Sequence, residues 1–358
     1  MMKKGRLVVK IGSSSLAKRN GSIDHKSLID YANAVSHLHA SGYEVVLISS
    51  GAVAAGFQKI GYRTRPITTV KKQAAAAVGQ GLLMEAYEKA FSENTIAVAQ
   101  LLLTRESFVV EEQYDNAYAT LEELLRRGVV PIINENDSIA IEELTFGDND
   151  WLSSLVAGLI RADMLILLTD VNGVYNKHPS SPDAVRYSTI TDVTDDLYEQ
   201  TASTRSTLGT GGMRSKLEAA KRAQQLGIRT FIGQARDTRS LEDAVHSNGD
   251  GTYVDAGHTP WTKGKQWVGL HSPVEGAIMI DNGAKQALLH DKKSLLTVGI
   301  VDVIKTFPEG AVIDVCDQDG HTIGRGRSAV SSEQIKTTHY NQLCIHRNHW
   351  VSYVNGGE

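Results

Sequence analysis

Cysteine is almost missing from this sequence, with only Cys316 and Cys344 among 358 residues. That count excludes a disulfide framework and a four-cysteine zinc site, and it fits a reducing compartment. Long apolar runs are missing as well, and no stretch approaches the roughly 18 apolar residues of a membrane span. The opening MMKKGRLVVKIGSSSL has lysines, but its apolar run is short and broken by Lys10. It does not read as a signal peptide, so the expected location is the cytoplasm and no membrane partner is expected. A surplus of one charge is lacking too: the net charge is -4, with 22% charged residues. A basic nucleic-acid coat and an acidic tail are thereby disfavoured. There is no HxxxH or CxxC metal signature, and no protein-held metal site is expected. No GxGxxG follows the first apolar run, which weighs against a dinucleotide dehydrogenase. The absence of GxSxG weighs against an α/β-hydrolase.

What is present is a chain that is 41% hydrophobic and longer than one domain usually runs. Over the first 250 residues strand-like and helix-like runs alternate. RLVVKIG, EVVLISS, TIAVAQLLLT, VVPIIN, DMLILLTD and IRTFIG read as strands. SLIDYANAVSHLHASG, NAYATLEELLRRG, DWLSSLVAGLIRA and SKLEAAKRAQQLG read as helices. Residues 72–90 read as an alanine-rich helix or helix pair with Gly79 and Gly81 in the middle. Near-continuous apolar strands alternating with helices predict an α/β fold, with a mostly parallel sheet covered on both faces. Ligands in such sheets bind beyond the carboxyl ends of the strands. Near residue 250 the texture changes to Gly-rich, polar and Trp-containing sequence. From Gly276 onward the chain reads as short β pieces separated by turns such as DNG and QDG. The expected division is a catalytic domain at 1–255, a linker at 256–275 and a small, mostly β domain at 276–358.

Five features in the first part carry phosphate or acceptor chemistry. Lys10-Ile11-Gly12-Ser13-Ser14-Ser15 follows a strand. Its glycine and serines can expose N–H groups to a phosphate, with Lys10 supplying charge, although the same residues suit a capped strand end. Ser49-Ser50-Gly51-Ala52 allows close approach of a ligand, with Ser50 a donor to a carboxylate; a tight strand-to-helix turn explains it equally well. Asn134-Glu135-Asn136-Asp137 and Gly147-Asp148-Asn149-Asp150 put amides and carboxylates at loop ends, which suits an ammonium group or a metal carried with phosphate. Capping by Asn149 or Asp150 is the plainer alternative. Thr169 and Asp170 stand where a buried strand emerges. Gly209-Thr210-Gly211-Gly212-Met213-Arg214-Ser215-Lys216 precedes a helix and can wrap nucleotide phosphates, Lys216 meeting the charge on the transferred group. Two lysines on small-residue loops, beside acidic and amide loops, form an inventory for phosphoryl transfer.

The ordered set VVKIGSS, LISSGAVAAG, PIINENDS, FGDND, LLTDVNGVY and GTGGMRSK resembles the glutamate 5-kinases of the amino-acid kinase superfamily. The tail from about 276 resembles a PUA domain. The resemblance implies a three-layer αβα sandwich with a PUA-like barrel, and transfer from ATP to the γ-carboxylate of L-glutamate, with Mg²⁺ as cofactor. It implies that Lys10 and Lys216 neutralise charge and that Asp150 organises them. Ser50, Gly51, Asn134, Asp137, Asp148 and Asn149 would bind glutamate. Gly12, Ser13, Ser14, Thr169, Asp170 and the loop Gly211, Gly212, Met213, Arg214, Ser215 and Lys216 would bind ATP. It also implies inhibition by proline through the 134–150 region, a homodimer or homotetramer, and a transient contact with glutamyl-phosphate reductase. Another superfamily member acting on acetylglutamate, aspartate or UMP is the alternative enzyme. A PUA-led RNA-binding protein is the alternative of another class. Residues 276–358 hold eight basic against nine acidic residues, a poor balance for gripping RNA, with Gly324-Arg325-Gly326-Arg327 the one candidate patch. His25, His37 and His39 are expected to be surface or helix residues rather than catalytic ones. Trp261, Trp267 and Trp350 are expected to pack rather than to stack on bases.

Overall fold

The computed structural model describes residues 4–18, 22–139, 149–201, 212–256, 265, 267–337 and 341–353. The chain forms two compact units, one of Met1–Ser107 with Asp115–Pro260, the other of Phe108–Tyr114 with Trp261–Glu358.

The first unit is built on the strands β1 (Gly5–Ile11), β2 (Tyr43–Ile48), β3 (Val98–Leu103), β4 (Val130–Glu135), β5 (Met164–Leu168), β6 (Thr189–Ile190), β7 (Arg229–Gly233) and β8 (Gly251–Val254). The helices before residue 260 are α1 (Ser13–Leu16), α2 (His25–Ala40), α3 (Ala52–Gly56), α4 (Thr69–Ser92), α5 (Glu106–Val109), α6 (Glu111–Arg126), α7 (Asn149–Leu159), α8 (Asp195–Thr201), α9 (Met213–Gln225) and α10 (Thr238–Val245), with the end of α5 and the start of α6 belonging to the second unit. The strands lie in the order β3-β4-β2-β1-β5-β7-β8-β6. Every pair is parallel except β7 with β8.

The apolar runs explain the middle of this sheet. Residues 7–11, 44–48, 130–135 and 164–168 are all buried, as strands covered on both faces must be. One face carries Val9, Leu47, Ile132 and Ile166 against Leu28, Tyr31 and Val35 of α2 and Leu83, Tyr87 and Phe91 of α4. Helix ends follow local chemistry. Asp24 caps α2 by accepting from the Lys26 N–H. Gly42 and Gly128, beyond α2 and α6, adopt left-handed backbone (φ 96° and 73°) that stops a helix cheaply only at glycine.

Three local readings change. The alanine-rich segment is one continuous helix, α4. The segment Gly251–Val254 is a strand that its Gly-rich surroundings concealed; its pairing with β7 and β6 is long-range information. In the second unit, NGAKQALL within the expected β piece is a helix, Asn282–Leu289, capped by Asp281 accepting from Ala284 N. The rest of that unit is a six-stranded, mostly antiparallel sheet with its own core, including Ile278, Ile313, Val315, Ile345 and Trp350. Within the stretch 256–275, Trp267–His271 forms a π-helical turn, and Val268 packs on Val312 and Val351.

Candidate active site

The sheet order turns at β1, where parallel strands open a crevice at their carboxyl ends. β4, β2, β1 and β5 are neighbours there, and they deliver Asn134, Ser49 and Ser50, Lys10, and Thr169. Lys10 is 1% exposed although it sits in an apolar strand. A buried ammonium needs a partner. That partner is Asp150, 0% exposed in the first turn of α7, with 2.5 Å between Lys10 Nζ and Asp150 Oδ1. The other oxygen, Oδ2, accepts from Lys216 Nζ at 2.9 Å and from the Ser215 hydroxyl at 2.8 Å. Lys216 is 6% exposed and rides on α9, which packs against α7. Three ionic side chains, distant in sequence, thus meet in a dry place. Low effective dielectric makes such charges count for more than they would in water.

Beside this triad lies an amide network. Asn149 Nδ2 is within donating distance of Ser49 O (2.7 Å), Asn134 Oδ1 (2.8 Å) and Ser50 Oγ (3.0 Å). Asn134 Nδ2 donates to Gln80 Oε1 at 2.9 Å. Ser49 Oγ and the Tyr87 hydroxyl are 2.9 Å apart, and burial holds that phenol well above its ordinary pKa. Gly51 makes the turn from β2 into α3 with φ 100°, a conformation that favours glycine. Asp137 follows β4, and burial alone pushes its carboxyl up to about 6.

On the other side of β1, Gly12 stands at the start of α1, where Ser13 and Ser14 form its first turn. A side chain on Gly12 would sit 3.5 Å from Leu168 O and 3.9 Å from Lys10 Nζ. Thr169 is buried, its N–H donates to Gly233 O, and its hydroxyl donates to the exposed Asp170. Gly212, Met213 and Arg214 open α9; Met213 is buried and Arg214 is exposed, paired with Glu218. Asp148 and Gly211 lie outside the described residues. His25 and His37 are exposed and His39 half-buried. Gln80 and Tyr87 escaped the sequence reading. The only signal was a polar residue between two glycines of an otherwise small, apolar helical stretch.

Known proteins match this chain in sequence and in fold. A profile of the amino acid kinase family matches residues 5–234, and a PUA domain profile matches residues 276–342. Glutamate 5-kinase of Bacillus cereus (strain B4264) is 50% identical, the match covering 98% of this chain and all of that protein. Glutamate 5-kinase 1 of Bacillus subtilis (strain 168) is 48% identical over 98% of this chain and 99% of its own length. Among solved structures, carbamate kinase from Giardia lamblia bound to AMP-PNP superposes with a TM-score of 0.52 at 20% identity, covering 71% of this chain and 99% of that one. That likeness speaks to fold.

Proposed function

Because this chain belongs to the glutamate 5-kinases of the amino acid kinase family, we propose that it transfers the γ-phosphoryl group of ATP to the side-chain carboxylate of L-glutamate. The products are L-glutamyl 5-phosphate and ADP, and the reaction opens proline biosynthesis. The observation that carries the reading is the pair of buried lysines, Lys10 and Lys216, held on one buried carboxylate, Asp150.

The chemistry needs little else. The γ-carboxylate of glutamate has a reference pKa of about 4.3, so at neutral pH the nucleophile is already ionised and requires no general base. What remains is alignment of that oxygen with the γ-phosphorus and compensation of charge on the transferring oxygens. Lys10 and Lys216 compensate that charge. Asp150 holds the two ammonium groups against their mutual repulsion. Ser50, Gly51, Asn134, Asp137, Asp148 and Asn149 are assigned to the amino acid. Gly12, Ser13, Ser14, Thr169, Asp170 and residues 211–216 hold the nucleotide.

Magnesium comes with the nucleotide as part of the substrate. The Asp150 carboxylate is taken up by both lysines, and the His/carboxylate group with ligand-like spacing among the described residues, Asp317, Asp319 and His321, is in the other unit. Phosphate oxygens and water are then the ion's natural ligands. The same reading places the catalytic domain at 1–255 and a PUA-like domain at 276–358. It includes inhibition by proline, a homodimer or homotetramer in the cytoplasm, and hand-over of the labile acyl phosphate to a reductase. No helix among the described residues is long and apolar enough to cross a membrane.

A coupled assay of ADP release tests the proposal with glutamate, acetylglutamate, aspartate, carbamate and UMP as acceptors. Glutamate should give the highest kcat/KM. Turnover with UMP and none with glutamate would overturn the assignment. Lys10→Ala and Lys216→Ala should each lower kcat by at least about a hundredfold with the fold intact by circular dichroism; wild-type turnover in both removes the mechanism.

A further inference from the structure

The amide network can be read for direction. The backbone N–H of Glu135 donates to Asn134 Oδ1 at 3.0 Å. A backbone donor cannot be turned round, so Oδ1 is the accepting side of Asn134 and Nδ2 its donating side. Asn134 Nδ2 therefore donates to Gln80, which must present its oxygen, Oε1. At the other end, Asn149 faces the accepting side of Asn134 and must present Nδ2. Its two protons are shared among Ser49 O, Asn134 Oδ1 and Ser50 Oγ, and among the described residues its own Oδ1 is left buried with no partner. Gln80 is 8% exposed, Asn134 1%.

A buried acceptor without a donor is costly and rare, and it calls for an explanation. Here the whole chain Gln80–Asn134–Asn149 serves to keep that acceptor open. We propose that Gln80, on α4, is a positioning residue for the acceptor substrate. By engaging Asn134 Nδ2 it holds Asn149 with its carbonyl oxygen free to accept a hydrogen bond from the substrate's ammonium group. Were Gln80 Oε1 removed, Asn134 Nδ2 would lack its acceptor in a dry site. Among the described residues the network's two unpartnered atoms are Gln80 Nε2, a donor, and Asn149 Oδ1, the acceptor that the arrangement keeps for the ligand. Gln80 acts through its neighbours and need not touch the substrate. The inference rests on the glutamate kinase reading.

The test compares wild type, Gln80→Met and Gln80→Glu, the last retaining the accepting oxygen. Each is also made in an Asn149→Ala background. Steady-state kinetics are measured with glutamate and with ATP varied, alongside thermal melting. Gln80→Met should lower kcat/KM for glutamate by about tenfold, the worth of one hydrogen bond to a charged group. KM for ATP should stay within about twofold, a change too small to register as a lost contact. Gln80→Glu should recover most of the loss. In the Asn149→Ala background Gln80→Met should have little further effect, since coupled residues are not additive. The inference is overturned by an unchanged kcat/KM in Gln80→Met, by an equal rise in both KM values with a fall in melting temperature, or by the same loss with and without Asn149. Failure of wild type to phosphorylate glutamate would instead sink the underlying assignment.

Discussion

Asp150 and Asp137 are carboxylates in contrasting surroundings, one paired with two ammonium groups and the other raised by burial. Asp150 has two ammonium partners and a serine hydroxyl, and so stands as their shared counter-charge. For Asp137, burial favours the neutral acid and pushes its pKa up to about 6. If it binds the substrate's ammonium, it must be ionised, which in the free enzyme happens above about pH 6. We expect kcat/KM for glutamate to fall as pH drops from 7 to 5, with a break near 6. Asp137→Asn should be weaker at pH 7 and lack that break. The stability effect has the opposite sense. A carboxyl whose folded pKa is raised costs stability as pH climbs from its unfolded value through about 6, and the cost persists above. Asp137→Asn without ligands should therefore melt a few degrees higher at pH 7. An unchanged or lower melting point, with a flat wild-type profile, would contradict the assignment.

At the scale of elements, the contact that places Gln80 is the packing of α3 on α4. A side chain on Gly79 would come within 1.8 Å of Ala52 O, and one on Gly56 within 2.0 Å of Ala75 O. The two helices touch backbone to backbone, with no room for a methyl group. Gly81, two residues further on, has nothing within 4 Å of where a side chain would begin. Gly79→Ala should force the helices apart, at a cost of about 1–3 kcal/mol, and carry Gln80 with it. The expected result is a melting point lower by about 3–10 °C and a larger loss in kcat/KM for glutamate than for ATP. Gly81→Ala should be neutral, or stabilising by up to about 1 kcal/mol, because alanine is the better helix former. Equal effects of the two substitutions would refute the packing account.

For the whole molecule, the question is what the second unit contributes. Its GRGR segment was the candidate RNA patch. Arg325 lies 3.8 Å from Asp314 and over the Tyr353 ring. Arg327 pairs with Glu111 at 2.8 Å, within the same unit, and lies over Trp267. Both arginines are half-buried and already facing carboxylates, and Trp350 is buried in the core. With a local balance of eight basic to nine acidic residues, few phosphates could be neutralised. Filter retention of a single-stranded RNA by the full chain should fall to background at about 150 mM salt, where weak phosphate contacts are lost. Tight binding that survives would restore the RNA reading for this unit.

The sequence by itself determined the α/β class, most strands of the first unit, the helix stops at Gly42 and Gly128, and the loops where charge gathers. These are local properties: hydrophobic period, turn residues and capping leave their mark within a few residues. Several things needed the third dimension. β8 is a strand because β7 and β6 lie beside it. Lys10 and Lys216 are one device because Asp150 reaches both. Gly79 and Gly81 look alike in sequence, yet one is pressed against Ala52 and the other faces open space. Between them, Gln80 reads as an ordinary polar helix residue. Its part is decided by a hydrogen bond to a strand more than fifty residues away, because packing and hydrogen-bond direction belong to neighbours in space.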